Sequence, residues 1–216
     1  MEQQIINYEP QETQISVYSD ITLYEQFSRM AESLSKSELV PQSYRNKPES
    51  CLLAIDMARQ IGCKSPFFIM QNLNMIQGKP SWSGQYCTAI VRANFKNTHL
   101  EWKGEPSDDN FGCRVVATDK YGNECLGTWV TMKMAKAEGW TNKNGSKWLT
   151  MPIQMLQYRA FAFFARVHCP EKLLGLYDEY ETGDIVAQRQ RSTNVVNLEN
   201  KLKQIADEII EGEIEQ

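Results

Sequence analysis

Apolar positions along the chain recur first at helical and then at strand spacing. Leu23, Phe27, Met30 and Leu34 fall on one helical face, and Asp20 stands where a cap belongs, which predicts a helix over about Ile21–Ser35. Pro48 suits the first turn of a second helix that carries Leu52, Leu53, Ile55 and Met57 and stops at Gly62. Ser65-Pro66 opens a short helix, Leu73–Ile76 reads as a strand, Gln77–Pro80 as a turn and Gly84–Asn94 as a third substantial helix. Between Thr98 and Thr131 the pattern shortens. His99–Lys103, Phe111–Thr118 and Glu124–Val130 read as strands, with a hairpin turn at Tyr121-Gly122-Asn123. A short helix, Met132–Glu138, and a polar loop at 141–147 then lead into the almost wholly apolar stretch Lys147–Arg166. It reads as one long helix that Pro152 helps to open and His168-Cys169-Pro170 ends, with a short helix expected at Glu171–Tyr180. The fold class expected is α+β: helices around a small three-stranded antiparallel meander, with a long buried helix packed across it.

The ends read differently. Residues 1–19 are polar and lack a period, as in a loose arm. Residues 20–182 form the expected core domain. Residues 183–216 form an acidic tail in which Val195, Leu198, Leu202, Ile205, Ile209 and Ile210 make a helical stripe. That stripe suits docking on a neighbour as well as folding back on its own domain. An apolar content of 42% is a globular value, so a packed core is expected. The net charge of −4 conceals net values of −5 over 1–38, +6 over 39–178 and −5 over 179–216. A basic centre between acidic ends suits a polyanionic partner. No apolar run is long enough for a bilayer and no secretory leader is recognisable, so no membrane partner and a cytoplasmic location are expected. The six cysteines are scattered and none is spaced from another, or from His99 or His168, as metal ligands are. Reduced thiols are therefore expected, with no metal site and no cofactor.

Several chemistries lack their motifs. There is no glycine loop of the kind that cradles nucleotide phosphates, so neither an ATP-driven motor nor a dinucleotide enzyme is indicated. Glu101, Glu105, Asp108 and Asp109 are the acidic groups a metal-dependent DNA nuclease would use. Three of them fall in a loop with Pro106 and Ser107, where solvated carboxylates are ordinary. That nuclease is the alternative function. A protein scaffold acting through the 195–210 stripe, without DNA, is a third.

What the second half does contain is cations interleaved with aromatic rings. Lys133 and Lys136 precede Trp140, Lys143 and Lys147 precede Trp148, and Tyr158, Arg159 and Arg166 lie on the long helix. Lys79 and Trp82 form a second group. Such pairing suits single-stranded nucleic acid, with cations along the phosphates and rings against the bases. Arg159 and Arg166 are seven residues apart, which places them on one stripe with roughly 10 Å between their Cα atoms. On a buried helix two such cations need anions, either carboxylates of the protein or a polynucleotide. The few acidic residues nearby in sequence favour the polynucleotide.

Four segments, VPQSYRNKPESCLLAIDMARQIGCKSP, NLNMIQGKPSWSG, GTWVTMKMAKAEGW and KWLTMPIQMLQYRAFAFFARVHCPEKLLGLYDE, together resemble the RecT family of phage and prophage single-strand annealing proteins, the RecT/Red beta superfamily, over about residues 39–180. The resemblance implies a recombinase, not an enzyme, that binds single-stranded DNA and pairs it with a complementary strand without ATP. It also implies oligomers, as rings or helical filaments with DNA in a continuous groove. Single-stranded DNA and annealed duplex DNA are then its partners, with a phage exonuclease or a host single-strand binding protein as candidate protein partners. The family's phosphate-contacting helix matches Trp148, Arg159 and Arg166 here. Basic residues that family members often carry just after the helix-opening proline are replaced by Ile153 and Gln154, which shifts expected contact to Lys143 or Lys147.

Overall fold

A computed structural model describes residues 17–142, 145–186 and 201. The chain divides into two compact units, Met1–Asn72 and Leu73–Gln216. The N-terminal unit is helical. Helix α1, Ile21–Ser35, begins where the Asp20 carboxylate accepts from the backbone N–H groups of Thr22 and Leu23 at 2.9 and 3.1 Å. Helix α2, Pro48–Ile61, starts on its proline and ends at Gly62. There φ of +80° turns the chain and returns the Gly62 N–H to the carbonyls of Ala58 and Arg59. Helix α3, Pro66–Asn72, follows. The core of this unit lies along α2, whose Cys51, Ala54, Ile55 and Ala58 are each at most 5% exposed, and α1 packs on it.

The second unit is α+β. Strands β1 (Leu73–Ile76) and β2 (Lys79–Trp82) form an antiparallel hairpin closed by Gln77 and Gly78, both at positive φ. The sequence pattern placed Lys79 and Pro80 in the turn. They belong to the returning strand, where the proline pairs with Met75. Helix α4, Gly84–Asn94, is capped by the Ser83 hydroxyl. It leads into a small antiparallel sheet of β3 (Lys96–Lys103), β4 (Gly112–Thr118) and β5 (Glu124–Leu126), in that spatial order. The expected third strand, Glu124–Val130, is divided. After Leu126 the chain bends at Gly127, whose N–H donates to the Val115 carbonyl, and it re-pairs with the far end of β4 as β6, Val130–Thr131.

Helix α5, Met132–Ala137, follows directly. The single rod expected over Lys147–Arg166 is two helices, α6 (Lys147–Thr150) and α7 (Pro152–His168), broken at Met151. Pro152 has no N–H to continue the ladder and keeps the residue before it out of helical geometry, here at φ −139° and ψ 52°. Helix α7 buries Leu156, Ala160, Phe161, Phe164 and Ala165 against α4 and β4. Phe164 meets Phe95 edge-on at 5.1 Å. The expected Glu171–Tyr180 helix is replaced by one 3₁₀ turn, Pro170–Leu173, and two left-handed residues, Leu174 and Gly175. Helix resumes only at 179–186. Most of the arm at 1–19, Lys143, and the 195–210 stripe except the exposed Lys201 lie outside the described residues. Among the described residues no helix is long and apolar enough to cross a membrane.

Candidate nucleic-acid interface

The α7 stripe carries both arginines, and its counter-ions come from the same chain. Arg159 is 1% exposed, with its guanidinium carbon 4.1 Å from the centre of the Trp140 ring. One terminal nitrogen faces the Asp178 carboxylate at 3.4 Å and the other bonds to Asp184. Arg166 is more open, its side chain 37% exposed. It holds the Glu181 carboxylate with both terminal nitrogens, one contact at 2.7 Å, and its guanidinium lies 4.5 Å from the Tyr177 ring centre. The expectation that a polynucleotide, and not internal acid, neutralises these two cations is therefore corrected. Asp178, Glu181 and Asp184 recur every three residues, so the start of the 179–186 helix presents them on one side. They follow the arginines by 15 to 25 residues, beyond the Pro170–Gly175 turn, which is why local acid content gave no warning of them.

Asp178 also fixes this segment in place. It accepts from the N–H groups of Tyr180 and Glu181, and the neighbouring Tyr177 carbonyl accepts from the Trp82 N–H at 2.9 Å. Burial and the nearby Asp178 carboxylate push Glu181 up to about 8, against the opposing pull of Arg166 and Arg159. One polar atom is left over. The Arg159 Nε is buried with no hydrogen-bond partner among the described residues.

Two cavities flank the buried arginine, and both border Trp140, Arg159 and Asp184. One, of about 210 Å³, opens toward Lys147, Trp148 and Tyr180. The other, of about 390 Å³, opens toward Phe163, Arg166 and Tyr177.

The remaining sequence candidates divide by exposure. Trp148, 4% exposed, packs on Trp140 at 5.1 Å between ring centres. Trp82 is fully buried, stacked on Tyr86 at 3.8 Å, and its indole N–H donates to the Leu173 carbonyl at 2.9 Å. Neither ring is placed to receive a base, because other side chains already cover it. Tyr158 is half-buried and fills the space over Gly84. Lys133 and Lys147 are exposed, Lys79 is half-buried, and Lys136 pairs with Asp109. Among the described residues no three His, Cys, Asp or Glu side chains converge as a metal site would require. Burial raises the thiols of Cys113 and Cys169 to about 12 and Cys87 further, which leaves them protonated and poorly nucleophilic.

The sequence reading missed one group. Lys103 at the end of β3 and Arg114 in β4 both approach the Trp129 ring, at 4.5 and 4.9 Å from its centre. Register explains the meeting. Glu101 stands opposite Arg114 and Lys103 opposite Gly112, so all three side chains leave the same face, where Glu101 bonds to Arg114 at 2.8 Å. Cys113, Val115 and Ala117, each at most 1% exposed, take the opposite face. The polar Arg114 inside an otherwise apolar strand was the available signal. Its partner Trp129, fifteen residues on, needed the β5–β6 break to reach it.

No protein-family model, curated protein or solved structure matches the chain.

Proposed function

We propose that this protein binds single-stranded DNA and anneals it to a complementary strand without ATP, acting as an oligomer. The observation that carries the reading is the Lys103–Trp129–Arg114 group. It sets the exposed Lys103 and the Glu101-paired Arg114 against the partly buried Trp129 indole, cations for a phosphate chain beside an aromatic ring that a base reaches once a cation shifts from it to phosphate. The exposed Lys133 and Lys147 add sequence-independent attraction in the same unit, and the four-segment resemblance to the annealing family supports the pairing step.

In this reading phosphate contacts position the first strand and leave its base edges free for a second strand to test. Stacking of the resulting base pairs contributes about 1.4 kcal/mol per step, so a short matched run outweighs the nonspecific contacts it displaces. Specificity resides in complementarity, and the protein supplies alignment and charge neutralisation.

The test is retardation of a labelled single-stranded oligonucleotide, followed by addition of its complement. Lys103→Ala with Trp129→Ala is expected to weaken binding at least about tenfold, the equivalent of roughly 1.4 kcal/mol. Lys103→Ala alone is expected to lower the salt slope by about 0.7, the value for one single-strand phosphate contact. A double variant that folds, binds and anneals as the parent does would remove the support for this surface.

A further inference from the structure

On the single-strand-binding reading, Arg166 is a cation in a good position that is already occupied. Its partner Glu181 offers two carboxylate oxygens to the guanidinium fork, in the geometry that two oxygens of a phosphodiester also present. The pair is not sealed: the Arg166 and Glu181 side chains are 37% and 16% exposed, whereas Arg159 and Asp178 are each 1%. Beside it lies the cavity of about 390 Å³, bordered by Phe163, Arg166, Tyr177 and Glu181. Tyr177 is 47% exposed, so one wall of that space is an aromatic ring open to solvent.

We propose that Glu181 is an internal stand-in for phosphate: it holds Arg166 in the DNA-free subunit, and single-stranded DNA docks in the adjoining cavity by exchanging one backbone phosphodiester for that carboxylate. The inference rests on the reading of the chain as a single-strand binder and adds a regulatory element to it. The exchange is local. Asp178 keeps Arg159 neutralised and the Tyr177 carbonyl, accepting from the Trp82 N–H, anchors the segment, so Glu181 swings away without exposing the buried end of the stripe. A carboxylate that burial and Asp178 both disfavour gains by moving into water. The vacated guanidinium takes the phosphate, and the attached base lies along Tyr177.

The experiment is a fluorescence-anisotropy titration of a labelled thymidine oligonucleotide on the full chain at a pH of about 9, above the Glu181 value of about 8, so that the carboxylate is charged, with circular dichroism as the check of folding. Glu181→Gln removes the competing charge and is expected to tighten binding about tenfold. Arg166→Gln is expected to weaken it, and Glu181→Gln in the Arg166→Gln background is expected to change nothing, because the two residues act as one device. Should Glu181→Gln fail to fold, Glu181→Asp keeps the charge, withdraws it by one methylene and is expected to tighten binding by a smaller factor. The inference is overturned if either folded variant binds no tighter than the parent, or if tightening persists without Arg166. A parent protein that binds no oligonucleotide at low salt overturns the single-strand-binding reading itself and this inference with it, whereas a parent that binds normally beside an inert Glu181 overturns only the exchange.

Discussion

Arg159 shows how one side chain of the same stripe serves architecture while its neighbour faces outward. With its guanidinium over Trp140 and between Asp178 and Asp184, it is a buried ion network, and removing the cation strands two carboxylates in a low-dielectric interior. Arg159→Ala is expected to cost about 3–5 kcal/mol of folding stability, as measured by urea denaturation. A loss under about 1 kcal/mol, the range of exposed ion pairs, would show that the network is solvated after all. Glu181 gives a prediction in pH. Its folded-state value of about 8 lies above the usual 4.5, so the folded protein keeps a proton that the unfolded chain releases. The associated stabilisation is complete below about 4.5 and is lost as pH rises through about 8. Denaturation midpoints taken across that window are expected to decline in the parent and to decline less in Glu181→Gln. Equal slopes in the two proteins would assign the titration to another group.

At the scale of elements, the approach of α4 to α7 depends on a missing side chain. A Cβ at Gly84 would lie 2.7 Å from Cγ of Tyr158. Gly84→Ala is expected to destabilise by about 1–3 kcal/mol, the usual cost of overpacking. Adding Tyr158→Leu, which relieves the clash, is expected to recover part of that loss, and strictly additive effects in thermal denaturation would refute the contact. Elements like α1 and α2 were legible in the sequence because their end signals, Asp20 for the first and Pro48 with Gly62 for the second, act on the adjacent backbone. The breaks at Met151 and after Leu126 were less legible. Both occur inside apolar runs, where periodicity continues through the interruption. Pro152 carries the first signal, but with apolar residues on both sides of it the stretch reads as one rod that the proline helps to open.

Across the whole chain, charge is arranged by contact as much as by count. The centre of the sequence is net +6, yet two of its arginines are neutralised by Asp178, Glu181 and Asp184 at the border of the acidic C-terminal region. Sequence spacing found the stripe because i and i+7 are fixed by helix geometry. Its counter-ions escaped because tertiary folding, and not spacing, brings them across the 170–175 turn. The same holds for Trp129, which sequence inspection passed over and which β4 register and the β6 return place beside Lys103 and Arg114. Conversely Trp82 and Trp148, singled out by their neighbours in sequence, went to the core, where a large apolar ring gains most.

The order of these groups along the polypeptide has a consequence during synthesis. A chain emerging from the ribosome exposes α7 before the residues that quench its guanidiniums have left the exit tunnel. In that interval an oily helix with two unquenched positive charges is open to any nearby polyanion, ribosomal RNA included, and closure by residues 178–184 ends its exposure.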